Sequence, residues 1–277
     1  MRHATVARGT WVAGAALTAI VAAAIIGPLV WPWDGARQLD IDHLRTQAPS
    51  WAHPFGTDAY SRDVVARVLD GARVSLAIGM LSVLLAATLG TAYGLAAGLG
   101  GARTDQILMR TLDALMSIPR VLFLLALLAS MPHVATPWLI IVLGATGWFP
   151  ISRLVRGEVR ELARTDFAVA ARALGVRPWR LAWRHLLPNV SGTVIAATVL
   201  GVGNAIALEA GLSYLGLGVQ PPTASWGNLI HDGVEVLRTG WWVSVAPGTA
   251  VVATVLSLNA IADALERRLA PIRAWRP

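Results

Sequence analysis

Cysteine and lysine are both missing from this 277-residue chain. Without cysteine there is no disulfide, no thiolate metal centre and no cysteine nucleophile. Without lysine, the basic side chains other than histidine are all arginine, 23 of them. Charge of either sign is scarce: charged residues make up 14% of the chain, against about 25% in a soluble domain. No Gly-x4-Gly-Lys-Ser/Thr loop occurs, which removes ATP hydrolysis by that route. His-Glu-x-x-His and Gly-x-Ser-x-Gly are absent too, and the six histidines are scattered, so the sequence yields no catalytic constellation, metal site or cofactor site. Apolar residues dominate instead, at 55% of the chain, with a mean hydropathy of +0.58. That is the composition of a multi-pass membrane protein.

A membrane span takes ~20 mostly apolar residues across a ~30 Å hydrocarbon core. Uncharged stretches at 9–33, 74–102, 134–152, 189–208 and 239–262 supply five. A sixth runs from about Gln106 to Met131, with Arg110, Asp113 and Arg120 in its first half. The first follows Arg2 and Arg8, but its apolar run is too long for a signal-peptide core, so an uncleaved helix is expected. Six spans put both termini on one side. The same side carries the 153–188 loop, where eight arginines outnumber Glu158, Glu161 and Asp166, and the tail with Arg267, Arg268, Arg273 and Arg276. The positive-inside rule makes that side cytoplasmic. Topology and anionic lipid thus account for the net charge of +7, and no nucleic-acid role follows.

Within the loop, the spacing predicts a short helix capped by Thr165, with Asp166 at its positive end and Gly175 as its stop. Phe167, Ala170, Ala171 and Leu174 share one face, and the alanines at 168, 170, 171 and 173 should leave little bulk outward. Pro178 opens a second short helix, with Arg177, Arg180 and Arg184 on one face and Trp179, Trp183 and Leu187 on another, an interfacial anchor. Upstream, residues 34–73 read as an outside segment: a turn at 53–58, then a helix from Ser61-Arg62-Asp63 to about Gly71 lying on the bilayer, with Asp63 and Arg67 paired at i,i+4. Gly90, Gly94 and Gly98 form a ridge for close helix approach. Arg110 and Asp113 are spaced to neutralise each other, and Pro119 permits a kink. The Gly/Pro-rich stretch 216–222 cannot continue a helix and is placed at the outer mouth of a pathway. Trp241-Trp242 is expected at the outer interface, ahead of a kink at Pro247-Gly248.

The elbow resembles the cytoplasmic coupling loop of bacterial ABC importer permeases. Ala170, Ala171, Gly175, Leu187 and Pro188 stand at that family's spacings, with Val169 in place of its Glu and His185 in place of its Ile. Two further stretches resemble peptide and nickel importer permeases. One is His53-Pro54-Phe55-Gly56-Thr57-Asp58, Ser61-Arg62-Asp63 and Gly71-Ala72-Arg73-Val74-Ser75-Leu76. The other is Glu209-Ala210-Gly211-Leu212-Ser213-Tyr214 through Pro221-Pro222 to Ser225-Trp226-Gly227. Asp113 and Pro119 match the third-helix spacing, and Asn259 to Pro271 aligns in register but has diverged.

The resemblance covers roughly residues 50–270. It implies an all-α, six-helix type I ABC importer permease: an N-terminal helix and extracytoplasmic segment over 1–72, a permease core over 73–265 and a cytoplasmic tail over 266–277. Such a subunit is not an enzyme. It forms half of a pathway for di- or oligopeptides in the cell membrane, paired with a second permease subunit, one or two cytoplasmic ABC ATPases and an extracytoplasmic substrate-binding protein, and it needs no cofactor. Coupling to the ATPase falls on Asp166, Phe167, Ala170, Ala171, Arg172, Leu174, Gly175, His185, Leu187 and Pro188. The pathway would include Asp113, Glu209, Ser213 and Tyr214; Glu209 either meets a peptide's amino terminus or is held internally by Ser and Trp. A nickel or metal-chelate permease is the alternative within the class. An ion-driven secondary transporter is the alternative outside it, and the absence of internal repeats and of charge in spans one, two, four and six argues against it.

Overall fold

A computed structural model describes residues 2–131 and 134–269, with side chains described from residue 9. Arg273 and Arg276 of the tail lie outside the described residues, as do the side chains of Arg2 and Arg8. The described chain is helical, with a single isolated bridge between Thr57 and Asp63. Its helices are α1 (Arg2–Val30), α2 (Ile41–Leu44), α3 (Val64–Leu99), α4 (Ala102–Met116), α5 (Arg120–Ala129), α6 (Thr136–Gly147), α7 (Phe149–Leu162), α8 (Asp166–Ala173), α9 (Pro178–Leu181), α10 (Leu187–Tyr214), α11 (Trp226–Glu235) and α12 (Trp242–Leu269). Five segments are long and apolar enough to cross a membrane: Gly9–Val30, Val64–Leu99, Thr136–Leu162, Pro178–Tyr214 and Trp242–Arg268. The pair α4–α5, bent by 65°, makes a sixth when taken as one broken span. The all-α, six-span expectation therefore holds, with several boundaries moved.

The separate surface helix expected at 61–71 does not exist; it forms the first two turns of α3. Asp63 sits just before the helix and accepts from the Ala66 amide at 2.8 Å, so the helix starts there. Gly71 does not end it, because it is kept small by close approach: a Cβ there would lie 3.2 Å from the Ser225 carbonyl carbon. Residues 72 and 73 are thus consecutive within α3. The loop expected from 153 is helical to Leu162. The second short helix does not stand alone. α9 runs through a π-helical turn, Ala182–Leu186, into α10. Pro188 has no N–H to give its preceding turn, and the Leu187 amide reaches back to Ala182 instead, widening the helix. Pro119 and the Ser117 hydroxyl, which donates to the Ala114 carbonyl at 2.7 Å, accompany the α4–α5 break.

The chain divides into two compact units. The first comprises Met1–Met80, Leu125–Ile140 and Val202–Ile261. In it α1 is tied to α3 through an opening the sequence provides. Pro28 lies inside α1 and leaves the Ala24 carbonyl without its helical donor. Arg73 fills the gap, its Nε donating to Ala24 O and its Nη2 to Ile25 O, both at 2.7 Å. Trp242 is not a surface anchor: it is buried against Val64 and Val243 and donates to Thr57 O at 3.2 Å, while Trp241 stays exposed.

The second unit comprises Leu81–Leu124, Ile141–Gly201 and Ala262–Pro277. Its core joins Leu95 of α3, Ile151, Val155 and Val159 of α7, and Leu181, Ala182, Leu186 and Val190 of the α9–α10 run. The glycine ridge is its seam. Cβ atoms added at Gly90, Gly94 and Gly98 would lie 2.8, 2.7 and 2.6 Å from Ile151, Val155 and Val159 respectively. One i,i+4 row of glycines thus receives one i,i+4 row of branched side chains, letting α7 lie directly on the α3 backbone.

Candidate functional site

α8 hangs from the end of α7 by Ala163-Arg164-Thr165. Thr165 occupies the N-cap position with extended backbone, but its side chain makes no cap. Its hydroxyl donates to Leu162 O at 2.6 Å, a local bond that wins over the capping expected of it. The other end is as the sequence predicts. Gly175 takes φ +79, its amide bonds Arg172 O at 2.9 Å, and the Val176 amide bonds Ala171 O at 3.1 Å. These are the two bonds of a Schellman stop, in which only glycine enters the left-handed region without cost. Arg172 points back along the elbow, its Nε donating to Ala168 O at 3.2 Å and its Nη2 to Ala163 O, so it staples α8 to the end of α7.

The outward face of α8 is not the small-residue surface expected. Ala168 is the alanine that turns inward, fully buried, and Ala171 is half-buried. The phase that buries them leaves Phe167 43%, Val169 51% and Leu174 85% exposed, alongside Asp166, Ala170 and Gly175. Phe167 and Leu174, seven positions apart, thus share an exposed apolar face on the basic elbow, and Val169 is exposed on another. His185 and Pro188 are exposed and Leu187 half-buried, but these three belong to the π-turn and the start of α10.

Beneath the elbow, α7 carries a stripe of arginines aimed at α4. Arg156 Nη2 and Arg160 Nη1 reach Asp105 Oδ2 at 2.7 and 2.9 Å, and Arg156 Nε bonds the other oxygen. Asp105 is buried by this arrangement. Asp113 pairs with Arg153, not with Arg110 three residues before it. Arg110 is exposed on α4, whereas Arg153, Arg156 and Arg160 present their charges together from the neighbouring helix.

Glu209 has no exposed surface. Its Oε2 accepts from Ser75 Oγ at 2.9 Å and its Oε1 from Ser213 Oγ at 2.7 Å. Each serine oxygen also accepts a backbone amide: Ser75 that of Trp226 at 3.1 Å, Ser213 that of Val219 at 3.0 Å. One carboxylate thereby fixes both ends of the loop between α10 and α11, the internal holding weighed in the sequence. Tyr214, at the last turn of α10, is 40% exposed with its ring edge-on to His231. The stretch after it is non-helical, opening at Gly216 with φ +77.

The segment before α3 is a buried polar knot that local spacing misassigned. Asp63 and Arg67 do not pair with one another. Asp63 takes His53 Nδ1 at 2.8 Å and Trp31 Nε1 at 3.0 Å, besides the Ala66 amide. Arg67 Nη1 bridges Asp58 at 2.8 Å and Asp232 at 3.0 Å. Sequence reasoning gave no task to His53, Arg73, Asp105 or Arg120; His53 and Arg73 stood in the permease-like stretch, and each of the four is ionisable inside or beside an apolar span. Among the described residues no group of His, Asp or Glu is placed to hold a metal ion.

Comparison with known proteins agrees with this architecture. Residues 90–271 match the family described as binding-protein-dependent transport system inner membrane component. The chain is 40% identical over 258 residues to a provisionally named peptide permease protein of Brucella suis biovar 1 (strain 1330), covering 92% of this chain and 84% of that one. It is 37% identical over 251 residues to the dipeptide transport system permease protein DppC of Bacillus subtilis (strain 168), covering 90% and 77%. It is also 37% identical over 223 residues to the oligopeptide transport system permease protein OppC of the same organism, covering 80% and 73%.

Proposed function

The chain belongs to the binding-protein-dependent transport system inner membrane components, the permease subunits of ABC importers, and on that premise we propose that it carries di- or oligopeptides as one of two different permease subunits. The peptide cargo rests on the relatives' names, which are those of peptide, dipeptide and oligopeptide permeases. One or two cytoplasmic ABC ATPases and an extracytoplasmic binding protein complete the complex. Both termini and the 163–188 elbow face the cytoplasm, as the arginine distribution argues. ATP hydrolysis falls to the partner ATPases, since this chain has no phosphate loop for it.

The observation that carries the coupling role is the exposed apolar face of Phe167 and Leu174 on a helix closed by a Schellman stop and stapled by Arg172. Asp166, Ala170, Ala171 and Gly175 shape the same surface; His185, Leu187 and Pro188 shape the run that returns to α10. When paired ATPases close on ATP, α8 is displaced as a rigid body. The core of Val155, Val159, Leu181 and Leu186 hands that displacement to α7 and α10. Of the pathway candidates Asp113 and Tyr214 are exposed, whereas Glu209 and Ser213 are buried and hold the loop after α10.

Gly175→Arg and Ala171→Asp test this. Each should abolish ATP-driven peptide uptake by the reconstituted complex while membrane insertion stays normal; transport retained by both would remove the coupling role. Identifying the ligand of the co-purified binding protein separates peptide from nickel. Uptake by vesicles lacking ATP would point to an ion-driven carrier.

A further inference from the structure

The break between α4 and α5 leaves a cavity of about 480 Å³ in the second unit, within the range of small-ligand sites. Its walls are apolar, formed chiefly by Leu115, Met116, Phe123, Trp148 and Phe149. One cation, Arg120, lines it. Its Nε donates to Thr146 Oγ1 at 3.1 Å and its Nη2 to Leu143 O at 2.8 Å, in the last turn of α6. Both acceptors are neutral. A guanidinium carries five N–H donors, and these bonds use two of them. Gly147 keeps the place open: a Cβ there would lie 3.2 Å from Arg120 Nη2. A charge inside a broken, apolar span without an anionic partner is costly to maintain, and in membrane proteins such groups face cargo routes.

We propose that this cavity is a way-station for the transported peptide, with Arg120 receiving the C-terminal carboxylate and the aromatic walls taking the last side chain. Planar, two-point donation is the geometry a guanidinium offers a carboxylate. The inference rests on the peptide reading above and deepens it. The bonds to Thr146 and Leu143 use two of the five donors, so α6 can keep them when cargo is present.

The test uses the whole importer in proteoliposomes, with two peptides of one sequence, one ending in a free acid and one in an amide, chosen so that the binding protein holds both. Arg120→Gln should lower uptake of the free-acid peptide about tenfold or more, the effect of losing one charge-assisted contact, and leave the amide within about twofold. Arg120→Lys should recover only part of the free-acid uptake, because an ammonium supplies the charge without the two-point donation. Equal losses for both peptides would overturn the proposal and leave Arg120 as a cap of α6. Loss of free-acid selectivity in the wild type on replacing anionic with zwitterionic lipid would overturn it in favour of a lipid phosphate. If the wild type imports neither peptide, the peptide reading fails, and the site goes with it; normal wild-type import with unchanged Arg120→Gln kinetics sinks the site alone.

Discussion

Gly94 is where α3 and α7 lie closest in kind to a lock, and Gly94→Ala is the smallest perturbation that probes it. The added methyl would stand 2.7 Å from both the Ser152 carbonyl oxygen and Val155 Cβ. Ordinary carbon contacts fall near ~3.5–4.0 Å, so the methyl is about 1 Å too close to two atoms. One is backbone and the other a branch carbon on a fully buried side chain, and neither can swing aside. Overpacking of this kind costs ~1–3 kcal/mol, offset by up to ~1 kcal/mol of helix propensity gained over glycine. The net loss should be about 1–2 kcal/mol, larger for Gly94→Val. The control is Gly157→Ala in α7, where nothing lies within 4 Å of the new methyl; it should be neutral or stabilising. Thermal unfolding of the detergent-solubilised complex, followed by size-exclusion recovery after heating, ranks the variants. Val155→Ala does not relieve the strain, because alanine keeps the Cβ that the new methyl meets and leaves the Ser152 carbonyl in place. A Gly94→Ala variant as stable as Gly157→Ala would refute the claim that this ridge holds α7 on α3.

Three further outcomes follow from the pairings. Arg73→Ala should loosen α1 from α3 by about 2 kcal/mol, since two charge-assisted bonds to α1 carbonyls are lost; in this cysteine-free chain, disulfide formation between Gly27→Cys and Leu69→Cys reports it, and an unchanged crosslinking rate would speak against the tether. Glu209→Ala should destabilise the complex by roughly 2–4 kcal/mol by leaving two buried hydroxyls unmatched, with Glu209→Gln markedly milder in the same melting assay; equal effects would deny the carboxylate its bridging task. Asp63→Ala should expose the 46–63 segment to limited proteolysis by freeing His53, Trp31 and the start of α3 together, and an unaltered digestion pattern would show that the knot is held elsewhere.

What the sequence made legible was set by chemistry that acts within a few residues. Long uncharged runs marked the spans. Gly175 and Pro178 marked the elbow because glycine enters φ above zero without steric cost and proline alone lacks the backbone N–H. The four-residue glycine ridge declared a close contact, although not its partner. Charge pairing was illegible for the opposite reason. Spacing within one helix proposed Asp63 with Arg67 and Arg110 with Asp113, yet a surface i,i+4 pair contributes only ~0.2–0.5 kcal/mol. Asp63 instead collects an imidazole, an indole and an amide, and Asp105 collects two guanidinia. Those gatherings depend on which helices become neighbours, and no period in the sequence states that. The boundary at Gly71 was missed similarly: glycine reads as a stop until the backbone pressed against it is seen.

The same distinction explains Val169. As a residue in a pattern it is a departure, the loss of a glutamate the family offers its ATPase. As a residue on α8 it is 51% exposed, but two positions from Phe167 and five from Leu174 put it on a different face of the helix. There it lines a hollow with Gly98, Leu99, Gly100, Arg160, Arg164 and Arg172. Valine in place of glutamate therefore leaves the Phe167–Leu174 face as it was and keeps a carboxylate out of a basic hollow. Arg172 needs no such partner, because it is already committed to the carbonyls of Ala163 and Ala168.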